Sequence, residues 1–227
     1  MFLQAAVQAV TPETQEHVFS FWKIMFHGNI FANIVMITVL ALGVFALYIF
    51  LERLFYINRM LKINDTNLMN NIADLLRDGR VDAAVDYCVR QNTPEARILE
   101  KGITRIGRPI SDIVSAMESQ GQIEVAKLEK NLNLLASVPS LAPMLGLLGT
   151  VIGLIMAFFS MSNAEGSFSP KTLSEGIYTA LGQTATGLAV AIPSNFFYNL
   201  LLTRIDKFVL KVQHLSTDFL DIINKPS

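Results

Sequence analysis

The chain has 227 residues, of which 52% are hydrophobic and only 16% charged, with a formal net charge of -1. That balance is too apolar for an ordinary soluble domain, and a near-neutral chain offers no global field for nucleic acid. The single cysteine, Cys88, excludes an intrachain disulfide and a cysteine-rich metal site, and the histidines (His17, His27, His214) lack metal-ligand spacing, so no cofactor is expected.

The N-terminal stretch "MFLQAAVQAVTPETQEHVFSFW" has no Lys or Arg before Lys23 and only a short apolar run. It reads as an amphipathic surface segment over residues 1–28 rather than a signal peptide. A bilayer core needs about 20 apolar residues in helix, and three stretches qualify. The first is "IFANIVMITVLALGVFALYIFL", within a span assigned to residues 29–51. The others cover residues 134–161 and 177–202, the latter with "IYTALGQTATGLAVAIPSNFFYNLLL". Positive charge beside the spans sets the orientation. Arg53, Arg59 and Lys62 follow the first, Lys127 and Lys130 precede the second, and Arg204, Lys207 and Lys211 follow the third. Lys23 and Lys171 lie on the other side. Residues 52–133 and the C-terminal helix 203–227 are therefore expected in the cytoplasm. The N-terminus and the loop 162–176 are expected outside.

The middle segment reads as helical. Ile72, Leu75 and Leu76, then Val81, Ala84, Val85 and Cys88, recur at helical spacing on two short helices joined at Asp78-Gly79. Thr93-Pro94-Glu95 opens another helix, with Thr93 as N-cap and Pro94 in the first turn. Cys88 falls on the apolar face and reads as core. Acids and bases balance, 12 of each over residues 52–133, which describes a solvated surface rather than a binding patch. From Ile110 to Ser160 the pattern predicts one very long helix, with a kink allowed, that would project below the membrane at about 1.5 Å per residue.

The second span holds many poor helix formers, but they are sorted. On a helical wheel Pro139, Ala142, Pro143, Gly146, Gly149, Thr150, Gly153, Ala157 and Ser160 share one side, opposite Leu141, Leu145, Leu148, Ile152, Ile155 and Phe159. Close packing of membrane helices explains small residues, and Gly149-xxx-Gly153 is such a pattern; a hydroxyl, Thr150, also sits at the centre of this face. The third span repeats the design. Ala180, Thr184, Gly187, Ala191 and Asn195 share an arc, and Thr179, Gln183 and Thr186 form the adjoining one. Uncharged polar groups at membrane depth need partners, and Pro193 is expected to kink this helix. No Asp, Glu, His, Lys or Arg lies within any span. A proton or sodium pathway needs a group that changes charge, so another chain would have to supply it. The small-residue face, with Pro143, Gly146, Gly149, Gly153, Ala157, Ala180, Gly187 and Ala191, is where that chain's helix could pack.

"PMLGLLGTVIGLIMAF" followed by "GIYTALGQTATGLAVAIP" closely resembles the ExbB/TolQ branch of the MotA/TolQ/ExbB proton-channel family, with three spans and a large inner loop. The resemblance implies an all-α integral membrane protein whose long helices extend into a helical cytoplasmic domain. It also implies a ring, a homopentamer, in the inner membrane of a Gram-negative bacterium. An ExbD/TolR-like single-span partner supplies a membrane-depth aspartate, and proton flow drives motion that reaches a TonB- or TolA-like protein. The family's pore threonines map onto Thr150 and Thr184. Its "GI-x-EAL" pattern reads "GIYTAL" here, so Thr179 stands where the family carries glutamate, and Gln183, one turn inward, substitutes as a polar contact. The lack of extra polar oxygens favours proton over sodium. An ExbB-like role in TonB-dependent uptake leads; a TolQ-like role in envelope integrity or division, a gliding or other stator, and a passive scaffold that clusters membrane partners remain as alternatives. An intramembrane enzyme would need a nucleophile with a base, and neither histidine nor carboxylate lies at depth.

Overall fold

A computed structural model describes residues 30–62, 67–163 and 170–224 of the chain. Seven helices account for nearly all of them: α1 Ile30–Lys62, α2 Leu68–Arg77, α3 Val81–Gln91, α4 Pro94–Ile103, α5 Ile110–Glu129, α6 Leu132–Ser162 and α7 Pro170–Asn224. No strand occurs among the described residues. The expected N-terminal segment 1–28 lies outside them, as do residues 164–169 of the outer loop.

Three of these helices, α1, α6 and α7, are long and apolar enough to cross a bilayer. They pack on one another within the chain. Their outer surfaces stay apolar and exposed, including Val44, Tyr48, Met144, Leu147, Ile155, Phe159, Leu181 and Ile192. Such faces suit acyl chains or neighbouring protein. Most hydroxyls in the spans bond a carbonyl of their own helix, as Thr38 does to Ile34 O at 2.8 Å and Thr186 to Gly182 O at 2.9 Å. This satisfies them in lipid without a partner helix.

The long spans run on into the helical domain. At about 1.5 Å per residue, the 55 residues of α7 reach roughly 80 Å against a hydrocarbon core of about 30 Å. The helix is therefore not divided between a span and a separate C-terminal element. Its described part starts at Pro170. It runs without interruption through Pro193. The extension carries Phe208 and Phe219 into a buried core with Ile98, Leu99, Ile103 and Met117. Gly102 makes room there, since a Cβ on it would stand 2.7 Å from Met117 Sδ and 2.9 Å from Phe219 Cε1. Each fully buried side chain of this size contributes about 1.5–3 kcal/mol.

The small helices follow the sequence pattern. Gly79 turns α2 into α3 at φ +71°, a left-handed conformation that favours glycine. Thr93 caps α4, its Oγ1 accepting from Ala96 N at 3.2 Å, with Pro94 at the first position. Cys88 is fully buried. One expectation fails. The predicted helix from 110 to 160 is broken at Lys130, which is extended (φ -50°, ψ 132°), and at Asn131, which is left-handed (φ 64°). Asparagine tolerates that conformation far better than most residues, and its carbonyl restarts the helix by accepting from Leu134 N at 3.2 Å. Arg53 of α1, itself buried, reaches this junction and donates to Lys127 O at 3.5 Å in the last turn of α5. A cation suits a helix C-terminus, where carbonyls lack intrahelical partners.

Candidate functional site

The small-residue faces of the second and third spans meet each other. α6 and α7 run antiparallel, and their glycines set the approach. A Cβ on Gly146 would stand 2.9 Å from Gln183 O and 3.2 Å from Thr184 Cα. One on Gly187 would stand 2.7 Å from Ala142 O and 3.2 Å from Gly146 Cα. Further along, a Cβ on Gly153 would meet Ala180 Cβ at 2.9 Å, and one on Gly176 would meet Ala157 Cβ at 2.7 Å. Backbone against backbone leaves nothing that can rotate away, so only glycine permits this spacing.

Thr150 sits at the centre of this seam and is buried. Its Oγ1 lies 3.1 Å from Gly146 O, 3.0 Å from Ala180 O and in a short contact with Thr184 Oγ1. Thr184 Oγ1 can also donate to Gly146 O at 3.4 Å. A hydroxyl has one proton and two acceptor lone pairs. The two threonines therefore form a chain in which one donates to the other and the second donates to a carbonyl. Turning either hydroxyl off its carbonyl lets the pair donate to a carboxylate. Turning it back lets the pair accept from a carboxylic acid. Neither threonine can release a proton near neutral pH, so the pair can orient a titrating group but cannot be one. Thr184 keeps part of its surface open, and Thr150 does not.

The adjoining polar arc of α7 turns toward α1. Gln183 is buried, and its Nε2 donates to Ala32 O at 3.2 Å. Its Oε1 has no hydrogen-bond partner among the described residues and occupies the space that a Cβ on Gly149 would fill. Thr179 is buried and bonds back to Glu175 O at 2.7 Å. Higher on the same contact, Gly43 of α1 receives Val190 of α7, whose Cγ2 would lie 3.2 Å from an added Cβ.

The expected small-face residues thus divide. Gly146, Gly149, Ala180, Gly187 and Ala191 are buried within the chain, whereas Pro143, Gly153 and Ala157 remain partly open. The structure brings Thr150 and Thr184 together and holds Gln183 and Thr179 on the neighbouring arc. Sequence reasoning placed one participant without a role and missed another. Ala142 supplies the carbonyl under Gly187 and stood on the small arc of the wheel. Ala32 belongs to the first span, to which no polar contact had been assigned; nothing in an all-apolar stretch marks one backbone carbonyl as an acceptor.

The chain resembles known proteins along this same region. Residues 90–214 match the MotA/TolQ/ExbB proton channel family. The biopolymer transport protein ExbB of Aquifex aeolicus is 38% identical over 112 residues, covering 49% of this chain and 74% of that protein. The ExbB of Helicobacter pylori is 43% identical over 90 residues, 40% of this chain and 61% of the relative. The Tol-Pal system protein TolQ of Haemophilus influenzae is 30% identical over 158 residues, 66% of this chain and 64% of its own length. The matches thus span between 61% and 74% of these relatives. With three apolar helices and a match across more than half its length, the chain belongs to the MotA/TolQ/ExbB proton channel family.

Proposed function

We propose that the chain is the ring-forming subunit of an inner-membrane motor driven by the proton-motive force, working with an ExbD/TolR-like single-span partner that carries an aspartate at membrane depth. The observation that carries this reading is the pairing of a built hydroxyl seam, Thr150 against Thr184, with spans that contain no Asp, Glu, His, Lys or Arg. A seam that can donate to a carboxylate and accept from its acid is suited to a carboxyl group that loads and unloads a proton. The chain itself has none to offer there. The partner's helix approaches from the side on which Thr184, Pro143 and Ala157 stay partly open, and a homopentameric ring would supply that seam once per subunit. The N-terminus is periplasmic and the helical domain cytoplasmic, by the asymmetry of Lys and Arg beside the spans. Energy passes onward to a TonB- or TolA-like protein.

An ExbB-like role in TonB-dependent uptake is the leading assignment, with a TolQ-like role second because a TolQ is among the relatives. Deleting the chain from its host separates them. Loss of energised outer-membrane uptake with an intact envelope supports the first; detergent sensitivity and septation defects with uptake retained support the second. Neither phenotype, with the proton-motive force intact, would contradict the motor reading and favour a scaffold.

A further inference from the structure

Where α1, the first turn of α4 and α7 meet, just past the apolar part of the spans, the molecule keeps an open cleft of about 380 Å³. Arg204, Lys207 and Lys211 of α7 line it together with Glu95 of α4 and Asn58 of α1. Arg204 donates to Asn58 Oδ1 in a short contact. Lys211 Nζ pairs with Glu95 Oε1 at 2.9 Å. Among the described residues neither Arg204 nor Lys207 pairs with a carboxylate. Among the described residues, three cations line the cleft with one carboxylate.

Two further features point to an occupant. The Glu95 side chain is only 4% exposed, yet its Oε2 has no hydrogen-bond partner among the described residues. A buried carboxylate oxygen left without a donor is costly, so a ligand in the cleft that brings a donor, met by a small turn of the Glu95 side chain, would relieve it. The cleft also continues toward the membrane. A second hollow shares Arg204 and Lys207 and runs past Thr203 and Asn199 to Leu200 and Phe196. These residues recur at helical spacing on one face of α7. Phe196 lies in the apolar span, about 12 Å along the axis from Arg204, and Lys211 lies about 10 Å beyond it. The polarity along the groove changes over the few ångströms in which a bilayer passes from acyl chain to head group, a layer about 5–8 Å thick on each side.

We propose that this groove binds an anionic glycerophospholipid of the leaflet on the side of the helical domain. Its phosphate lies against Arg204 and Lys207, a head-group hydroxyl donates to Glu95 Oε2, and an acyl chain follows Leu200 and Phe196. Excess positive charge selects an anionic over a zwitterionic lipid. The hydroxyl explains why a carboxylate is retained in a cationic site.

The test uses the full chain, delipidated in mild detergent in its native oligomeric state, with binding read by native mass spectrometry during lipid titration. Phosphatidylglycerol should bind at one per chain. Phosphatidylmethanol, anionic but without a hydroxyl, should bind roughly tenfold more weakly, and phosphatidylcholine more weakly still. Millimolar inorganic phosphate should not displace the lipid. Lys207→Gln should weaken phosphatidylglycerol about fivefold, and Arg204→Gln with Lys207→Gln about thirtyfold. Arg77→Gln with Arg80→Gln, away from the groove, should leave binding unchanged. Equal binding of phosphatidylglycerol and phosphatidylmethanol would overturn the Glu95 assignment. Displacement by phosphate would make this a simple anion site. Loss of the oligomer in the Arg204/Lys207 double variant, with lipid binding intact, would make it a contact between copies of the chain.

Discussion

Gly187→Ala should destabilise the chain, although alanine is the better helix former. The added Cβ would lie 2.7 Å from Ala142 O and 3.2 Å from Gly146 Cα, both backbone atoms of α6 that cannot turn aside. Restoring an ordinary contact of 3.4 Å from 2.7 Å requires α6 and α7 to part by about 0.7 Å. The Thr150 to Ala180 O bond at 3.0 Å and the Thr184 to Gly146 O bond at 3.4 Å would then pass out of hydrogen-bonding range. Overpacking costs about 1–3 kcal/mol, and each lost interhelical bond about 0.6 kcal/mol. The gain in helix propensity, about 1 kcal/mol, offsets part of this. The net loss is about 2 kcal/mol, or roughly 4–8 °C in thermal midpoint for a chain of this size. Gly121→Ala is the control, because a Cβ there meets nothing nearer than Val212 Cγ1 at 3.9 Å. That variant should gain about 0.5–1 kcal/mol from propensity alone. Thermal unfolding of the detergent-solubilised protein, followed by size exclusion, reads both. A Gly187→Ala chain as stable as the parent would refute the close α6–α7 seam.

Three other outcomes follow from individual side chains. Thr150→Val keeps the shape and removes the hydroxyl, so the oligomer should persist with a loss of about 1 kcal/mol, while energy coupling falls; full coupling would reduce the threonine to packing. Burial alone would raise the pKa of Glu124, but hydrogen bonds from Arg97, bidentate at 3.0 and 2.7 Å, and from Lys127 at 2.9 Å outweigh it and hold the carboxyl below its ordinary value of 4.5. A depressed folded-state pKa supplies stability that is present above 4.5 and lost as the pH falls through the lower value. Glu124→Gln should therefore be less stable at neutral pH by about 1–3 kcal/mol and lose less on acidification, as pH-dependent denaturation would show. The Cys88 thiol is pushed up to about 12 by burial and by the nearby Glu100 carboxylate, so it should resist maleimide at pH 8 until the helical domain unfolds.

Much of this was legible in the sequence because membrane helices obey simple rules. Three apolar runs had to be helices, and the sorting of Gly146, Gly153 and Gly187 to one side announced a close contact. The wheel did not reveal what touches that side. Small residues permit a backbone to approach, and a second span of the same chain satisfies them as well as a foreign helix does. The break at Lys130–Asn131 was hidden because asparagine marks a left-handed turn only in context. The tie between Gln183 and Ala32 O joins positions 151 residues apart, which no local pattern encodes. The groove beside Glu95 likewise depends on α1, α4 and α7 meeting, although its three cations were visible as flanking charge.

Proton flux into liposomes under an imposed potential tests the central claim most directly. The spans hold no Asp, Glu, His, Lys or Arg to carry a charge on and off near neutral pH, so the purified chain alone should conduct no protons. Co-reconstitution with a single-span partner bearing one membrane-depth aspartate should create a conductance, and changing that aspartate to asparagine should abolish it. One charge crossing the membrane carries about 2.3 kcal/mol per 100 mV, so the flux should also rise with the potential. Steady conduction by the chain without any partner would contradict the account.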